Sequence, residues 1–430
     1  MPTGKAEQRA ERILSFEEAR QCVAEHASPL RNQQRAREEV ALLDSLGRTL
    51  AEDLVADRDF PPFARAARDG YALRSADIRY TPAELEMVGK VRAGGDLPAG
   101  FVELGTGQAI SITTGAPVPP GADAVVMVEH TEGQARHVRV LKSISTGDNI
   151  VPRGSEALAN SVLAKRGTVL SSAYVALAAA IGKPAVHVYA RPQIAILSTG
   201  DEVVPISDKP KDNQIRNSNG LSLAAQVISA GGEPVQLPIA PDEPQRLREL
   251  ITQGLEHDLL LLSGGVSAGE YDFVEDVLSD FSAEILFTGV QIQPGKPLVF
   301  GRVPRKIARA QDGLGDQWTY FFGLPGNPIS TMVTFELFAG VMVRALTGSS
   351  SSLLQAAMAR LTQPINVKAG LTRFLPARLS GEWMKPEVSR VKWQGSGDIA
   401  AFAIADCLLV IPPDRELFEA GEMMTVIPIA

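Results

Sequence analysis

Between residues 189 and 348 the chain repeats one rhythm: an apolar run of strand length, a polar loop, then a helical pattern. Apolar runs at 193–197, 235–239, 259–262, 284–290, 298–301 and 319–322 carry most of it. Their ends read Ser198-Thr199-Gly200-Asp201-Glu202, Pro241-Asp242, Ser263-Gly264-Gly265, Gln293-Pro294-Gly295-Lys296-Pro297 and Gly323-Leu324-Pro325-Gly326-Asn327-Pro328. Helices are predicted over 221–229, 244–255, 274–278 and 329–346, and a hairpin or loop insertion over 301–318. Repeated βα units build a mostly parallel sheet. The reading is an α/β multidomain protein whose central part is a doubly wound α/β domain, with every strand's carboxyl end on one edge.

The densest junction is DLLLLSGGVSAGEYD at 258–272. A buried strand that runs into a glycine turn presents backbone N–H groups at the carboxyl end of a sheet, where open α/β sheets bind anionic ligands. Glycine lets the backbone approach a phosphate closely. Taken alone, such a turn is equally a strand-to-helix connection that uses glycine for geometry, and each acidic residue is equally a helix cap or a solvated turn. Repetition at neighbouring strand ends changes the balance. Glu202, Asp242 and Asp272 would converge beside two glycine-rich loops, and few carboxylates next to a phosphate cradle suit Mg²⁺.

The flanking segments read differently. Ser15-Phe16-Glu17-Glu18 opens a helix with an N-cap and an acidic first turn. A proline-fixed piece, Asp59-Phe60-Pro61-Pro62-Phe63, marks the first break. Short strands at 87–91, 108–112, 124–128 and 138–141, separated by glycine turns, predict a small β domain. A helix over 172–181, closed by Gly182, is expected to pack with the N-terminal helix. That gives a helical and linker domain from 14–58 and 149–188, an inserted β domain at 59–148, the α/β domain at 189–348, and a C-terminal β barrel at 349–430 with strands at 373–379, 388–393, 407–411 and 424–427.

Composition narrows the function. A net charge of −8 argues against nucleic acid as the main partner. Two cysteines, Cys22 and Cys407, offer neither a disulfide framework nor a structural zinc site. The first 21 residues carry charge throughout, so no signal peptide is read, and the apolar run at 173–181 is about half a membrane span. A cytoplasmic protein with no membrane partner is expected. GxxxxGK[ST] and GxGxxG are both missing from the sequence. The histidines at 26, 130, 137, 187 and 257 form no ligand-spaced pair and read as structural or surface residues. Arg65 and Arg68, beside Asp69-Gly70, are either a solvated basic turn or an anion site.

Seven motifs then come in a recognisable order: Asp69-Gly70-Tyr71-Ala72, Thr114-Gly115-Ala116-Pro117-Val118-Pro119, Ser198 to Glu202, Arg216-Asn217-Ser218-Asn219, Ser263 to Gly269 with Asp272, Pro294-Gly295-Lys296-Pro297, and Gly323 to Pro328. Over roughly residues 15–427 the chain resembles the molybdopterin molybdenumtransferase family, to which gephyrin's C-terminal domain also belongs. The resemblance implies insertion of molybdate into adenylylated molybdopterin with release of AMP, Mg²⁺ as cofactor, and a four-part, L-shaped homodimer with its active site between subunits. It also implies contact with molybdopterin adenylyltransferase and with molybdoenzyme apoproteins.

Carried over residue by residue, the resemblance makes Asp69, Thr114, Asp242 and Lys296 catalytic. Glu202, Asp242 and Asp272 would hold the metal. Ser218, Gly264, Gly265 and Ser267 would bind substrate, and Pro325 and Pro328 would shape the pterin pocket; Arg65 and Arg68 are not part of this carry-over and stay a solvated turn or an anion site. The chain departs from the family at Ala64-Arg65-Ala66-Ala67-Arg68, where Asn-Ser-Ala-Met is usual, and at Gln293, where a lysine is frequent. Positive charge is thus lost at 293 and gained at 65 and 68. Two other readings compete. The upstream adenylyltransferase shares the α/β motifs but is a single-domain protein. A non-catalytic scaffold or cofactor carrier would share the whole fold.

Overall fold

A computed structural model describes residues 12–31, 33, 35–133, 136–264, 273–305, 318–350 and 354–429. The chain forms two compact units, Met1–Ala51 with Gly167–Ser171 and Val186–Ala430, and Glu52–Arg166 with Ser172–Ala185.

In the first unit a seven-stranded sheet runs in the order Ile13–Leu14, Glu284–Val290, Pro297–Pro304, Trp318–Leu324, Leu259–Ser263, Gln193–Ser198 and Glu233–Gln236. All strands are parallel except Pro297–Pro304, which is antiparallel to both neighbours. The insertion expected at 301–318 therefore begins as a hairpin between two sheet strands, with 306–317 outside the described residues.

The continuous apolar run at 259–262 has a direct physical reason. Leu259 and Leu261 join Ile194 and Ile196 in the core on one face of the sheet, and Leu260 and Leu262 join Ala195 and Leu197 in the core on the other. With helices on both faces, both phases of the strand's two-residue period must be apolar. The helices Ser218–Ser229 and Pro328–Leu346 cover the first face, and Pro244–Gly254 and Phe273–Asp280 the second.

The N-terminal helix, Phe16–Arg31, starts in a capping box: Glu18 N–H donates to Ser15 Oγ, and Ser15 N–H donates to Glu18 Oε2 at 2.9 Å. Ala19, Val23, Ala27 and Leu30 form one buried stripe, and that stripe joins the core with the Pro328–Leu346 helix and the sheet. The sequence paired this helix with 172–181 instead. The amphipathic stripe explains the outcome, because it fits the large apolar face of the α/β sheet. Ser172–Ala180 is apolar nearly all round and lies in the second unit.

Pro328–Leu346 is long and apolar enough to cross a membrane, yet 78% of it is buried within the protein, as a core helix. Interrupting Ser330, Thr331, Thr334 and Glu336 hide it from a search for unbroken apolar runs.

Beyond this helix, Thr372–Glu382, Lys385–Arg390, Ala357–Leu361, Met423–Pro428 and Cys407–Ile411 follow one another in a sheet, and Thr372–Glu382 pairs back with Cys407–Ile411. Five strands thus close the expected barrel and leave it no free edge between them. Ile292–Gln293, between the Glu284–Val290 and Pro297–Pro304 strands, adds to the barrel parallel to Thr372 and Arg373.

The second unit holds a six-stranded sheet in the order Ala124–Met127, Gly70–Leu73, Gln108–Ile112, Ala83–Val91, His137–Val140 and Thr131–Gly133. It carries the β domain read from the sequence. Its apolar residues sort onto two cores, one around Ala72, Ile110, Ile112 and Val125, the other around Leu73, Ala109, Ala124 and Val126.

Candidate active site

The parallel strands of the first unit end together, and their loops are tied to one another by backbone bonds. Thr199 N–H donates to Ser263 O at 3.0 Å, Gly200 N–H to Ala240 O at 3.1 Å, and Gly264 N–H to Leu324 O at 3.2 Å. Gly264 has φ +95, and a Cβ there would lie 2.9 Å from both Thr199 O and Thr199 Oγ1. A Cβ on Gly326 would lie 3.7 Å from the Cα of Gly264. The two glycine turns are therefore in near contact, and Gly264 requires both its freedom and its small size.

Two asparagines hold the arrangement. Asn217 caps the Ser218–Ser229 helix, its Oδ1 accepting from Gly220 N–H at 2.9 Å and from Ser198 Oγ at 3.0 Å. Asn219 Nδ2 donates to Ser263 Oγ at 2.9 Å and to Gly326 O at 2.7 Å. One side chain thus links the ends of three segments. Sequence reasoning singled out only Ser218 in this motif. The signal for Asn217 was present, since Asn just before a helix is a strong N-cap, but nothing local marks Asn219 as a tie between distant loops.

A small cavity of about 50 Å³ opens here, with Glu202, Ser218, Gly264 and Pro328 among its lining residues. Thr199 Oγ1 and Asn219 Oδ1, at the same place, are buried without a hydrogen-bond partner among the described residues. Asp242, Lys296 and Pro325 lie on the same sheet edge without lining that cavity. Asp242 N–H donates to Asp201 Oδ1 at 3.1 Å, so Asp201 fixes the neighbouring loop. Pro325 is buried, and its carbonyl accepts from Thr331 Oγ1 at 2.5 Å. Lys296 is exposed at the start of Pro297–Pro304, and the adjacent Gly295, at φ +104, faces the Thr334 methyl. Gly265, Ser267 and Asp272 lie outside the described residues.

The donors here are oxygens. The Glu202 carboxylate folds over Gly200, where a Cβ would meet Oε2 at 2.4 Å. Among the described residues no three His, Cys, Asp or Glu side chains form a group able to hold a metal by themselves. Glu202 is the one carboxylate that lines the cavity among the described residues, a donor set suited to an ion held chiefly by phosphates and water and not to an all-protein cage.

In the second unit Asp69 and Thr114 stand at adjacent strand ends, just before Gly70 and just after Ile112, which pair directly. Asp69 Oδ1 accepts from Thr114 N–H at 2.6 Å and from Thr114 Oγ1 at 3.0 Å. These bonds, the backbone one first, hold the Asp69 carboxyl below the usual aspartate range. Gly70 leaves no room for a side chain, because a Cβ would fall 1.8 Å from Val126 O. Arg65 pairs with Glu156 at 2.8 Å, and Arg68 is exposed. The missing lysine at 293 also has a local setting. Gln293 Oε1 accepts from Nε of the buried Arg373 at 2.8 Å, where an ammonium would face a guanidinium.

Known proteins are similar to this chain along most of its length. The family model described as "MoeA N-terminal region (domain I and II)" matches residues 14–182, "Probable molybdopterin binding domain" matches 195–345, and "MoeA C-terminal region (domain IV)" matches 358–429. A molybdopterin molybdenumtransferase of Bacillus subtilis (strain 168) is 33% identical over 399 residues, covering 91% of this chain and 89% of its own length. One of Staphylococcus aureus (strain MSSA476) is 31% identical over 392 residues, covering 90% of each. The crystal structure of a molybdopterin biosynthesis MoeA protein from Pyrococcus horikoshii OT3 matches with a TM-score of 0.74 at 27% identity, covering 97% of this chain and 100% of that one. With three family models in the expected order and relatives above 30% identity along nine-tenths of its length, the chain belongs to the molybdopterin molybdenumtransferase family.

Proposed function

We propose that this protein inserts molybdate into adenylylated molybdopterin and releases AMP. The observation that carries the reading is the sheet edge itself. Gly264 and Gly326 stand in near contact, Asn219 ties them together, and Glu202 lines the cavity beside them.

Each group has a role that follows from its chemistry. The glycine turns let phosphate oxygens approach backbone N–H groups. Lys296 is a point charge on the same edge for an anionic group. Pro325, buried and fixed by Thr331, is a rigid wall for a flat heterocycle. Glu202, Asp242 and Asp272 would hold Mg²⁺, which when bound offsets the charge of the phosphates. Thr114 fixes the Asp69 carboxylate in its ionised form. We further propose that the protein acts in the cytoplasm as a homodimer, with Asp69 and Thr114 of one protomer serving the other's catalytic edge. The free state of Cys22 and Cys407 supports a reducing compartment.

The test is AMP release from adenylylated molybdopterin in the presence of molybdate and Mg²⁺. Glu202→Ala is expected to abolish release while thermal unfolding stays unchanged. Full activity in that variant would overturn the assignment. Mixing Asp69→Ala and Glu202→Ala proteins tests the shared site, and no recovery of activity on mixing would sink that part.

A further inference from the structure

On the sheet edge opposite the candidate active site, three arginines line one cavity. Its position follows from its lining, which includes Arg191, two residues before the Gln193–Ser198 strand begins, and Ser229, where the Ser218–Ser229 helix ends. The cavity measures about 130 Å³, well under the roughly 300–1,000 Å³ of a site for a drug-sized ligand. Arg48, Arg191 and Arg344 supply the charge, and Thr49, Thr347 and Ser349 supply buried hydroxyls. Among the described residues no carboxylate lines it.

The three cations differ in how far they are already satisfied. Arg48 donates to Tyr189 O at 2.9 Å and pairs with Glu38. Arg344 stands in the last turn of the long core helix. Glu336 lies 3.8 Å away, and the Arg344 Nε is buried with no acceptor among the described residues. Burial pulls its pKa below the usual arginine value, as for a cation short of counter-charge. Arg191 makes no side-chain hydrogen bond or ion pair among the described residues.

Arginines near helix carboxyl ends commonly cap carbonyl groups. Here other groups do much of that work. Arg35 Nη2 donates to Ala345 O at 2.9 Å, Thr347 N–H bonds Val343 O, and Gly231 and Gly232 N–H close the Ser218–Ser229 helix. The Arg344 Nε and the Arg191 guanidinium remain over.

We propose that this cavity binds one small tetrahedral oxyanion of the sulfate, phosphate or molybdate class, at a site separate from the candidate active site. Guanidinium forks match the oxygen spacing of such ions.

The test is calorimetric titration of full-length Lys296→Gln protein, which weakens anion binding at the catalytic edge. Sulfate, phosphate and molybdate are titrated separately, with ionic strength held by sodium chloride. One saturable site is expected for at least one oxyanion. Arg191→Gln, an exposed change, and Arg344→Lys, which keeps the charge but loses Nε, are each expected to weaken it at least tenfold, with unchanged thermal unfolding in the absence of oxyanion. Binding of molybdate alone would assign the site to the substrate ion, and binding of all three to oxyanions in general. No saturable binding in the Lys296→Gln protein, or unaltered affinity in both arginine variants, would overturn the proposal.

Discussion

The carboxamide nitrogen of Asn219 donates at 2.7 Å to the carbonyl oxygen of Gly326, more than a hundred residues along the chain. The same nitrogen donates to Ser263 Oγ at 2.9 Å. Asn219→Ala removes both bonds, each with a net worth of about 0.5–1.5 kcal/mol, so a loss of about 1–3 kcal/mol is expected in urea unfolding. AMP release should fall at least tenfold, because the spacing of the two glycine turns is no longer fixed. Asn219→Asp should be worse than Asn219→Ala, since it turns an acceptor toward the Gly326 carbonyl. An Asn219→Asp protein as stable and active as the wild type would refute this role.

Gly264 and Gly421 give a matched pair. Both have positive φ, +95 and +93, but a Cβ at Gly421 meets nothing within 4 Å, whereas at Gly264 it meets Thr199 O and Oγ1 at 2.9 Å. Gly421→Ala is expected to cost about 1–2 kcal/mol, the backbone term alone. Gly264→Ala should cost clearly more and should also lower affinity for the substrate. Equal losses in the two variants, measured by urea midpoints, would show that the close approach at Thr199 carries no weight.

Much of this was legible in the sequence because it is local. The 259–262 run, the glycine turns that follow the strands, and the N-cap at Ser15 each combine a residue type with a nearby geometric need. The partners were not legible. The antiparallel Pro297–Pro304 strand depends on its hairpin with Trp318–Leu324. The choice of the α/β face by Ala19, Val23, Ala27 and Leu30 depends on which apolar surface is larger, which no single helix reports. Asn219 looked like one more polar residue at a helix start, and its role arises only where three distant loops meet.

Asp69 gives a pH prediction. Its carboxyl is held below the ordinary aspartate value of about 3.9, mainly by the Thr114 N–H. A depressed folded pKa adds stability that is fully present above the ordinary value and is lost as pH falls through the folded one. The stability gap between wild type and Asp69→Ala should therefore be constant near neutrality and should shrink below about pH 4. Urea midpoints across that range test it, and a gap that stays flat into the acid limb would contradict the assigned hydrogen bonds.

Gln293 and Arg373 explain why a lysine at 293 would be poorly tolerated here. Arg373 is 8% exposed, and its Nε donates to Gln293 Oε1 at 2.8 Å where the α/β segment joins the barrel. Gln293→Lys replaces that acceptor with a second cation, leaving the buried guanidinium with an unsatisfied donor and a like charge beside it. A loss of about 1–3 kcal/mol is expected, with Arg373 rather than position 293 as its source. Arg373→Gln in the same chain should recover most of that loss, since the glutamine can accept from the new ammonium. A double-mutant cycle on unfolding free energy separates the two terms, with a coupling of about 0.5–3 kcal/mol expected for groups in contact. Additive effects would mean that Gln293 was not set by Arg373. Strong coupling would identify the buried arginine as the reason this chain keeps a neutral side chain at 293.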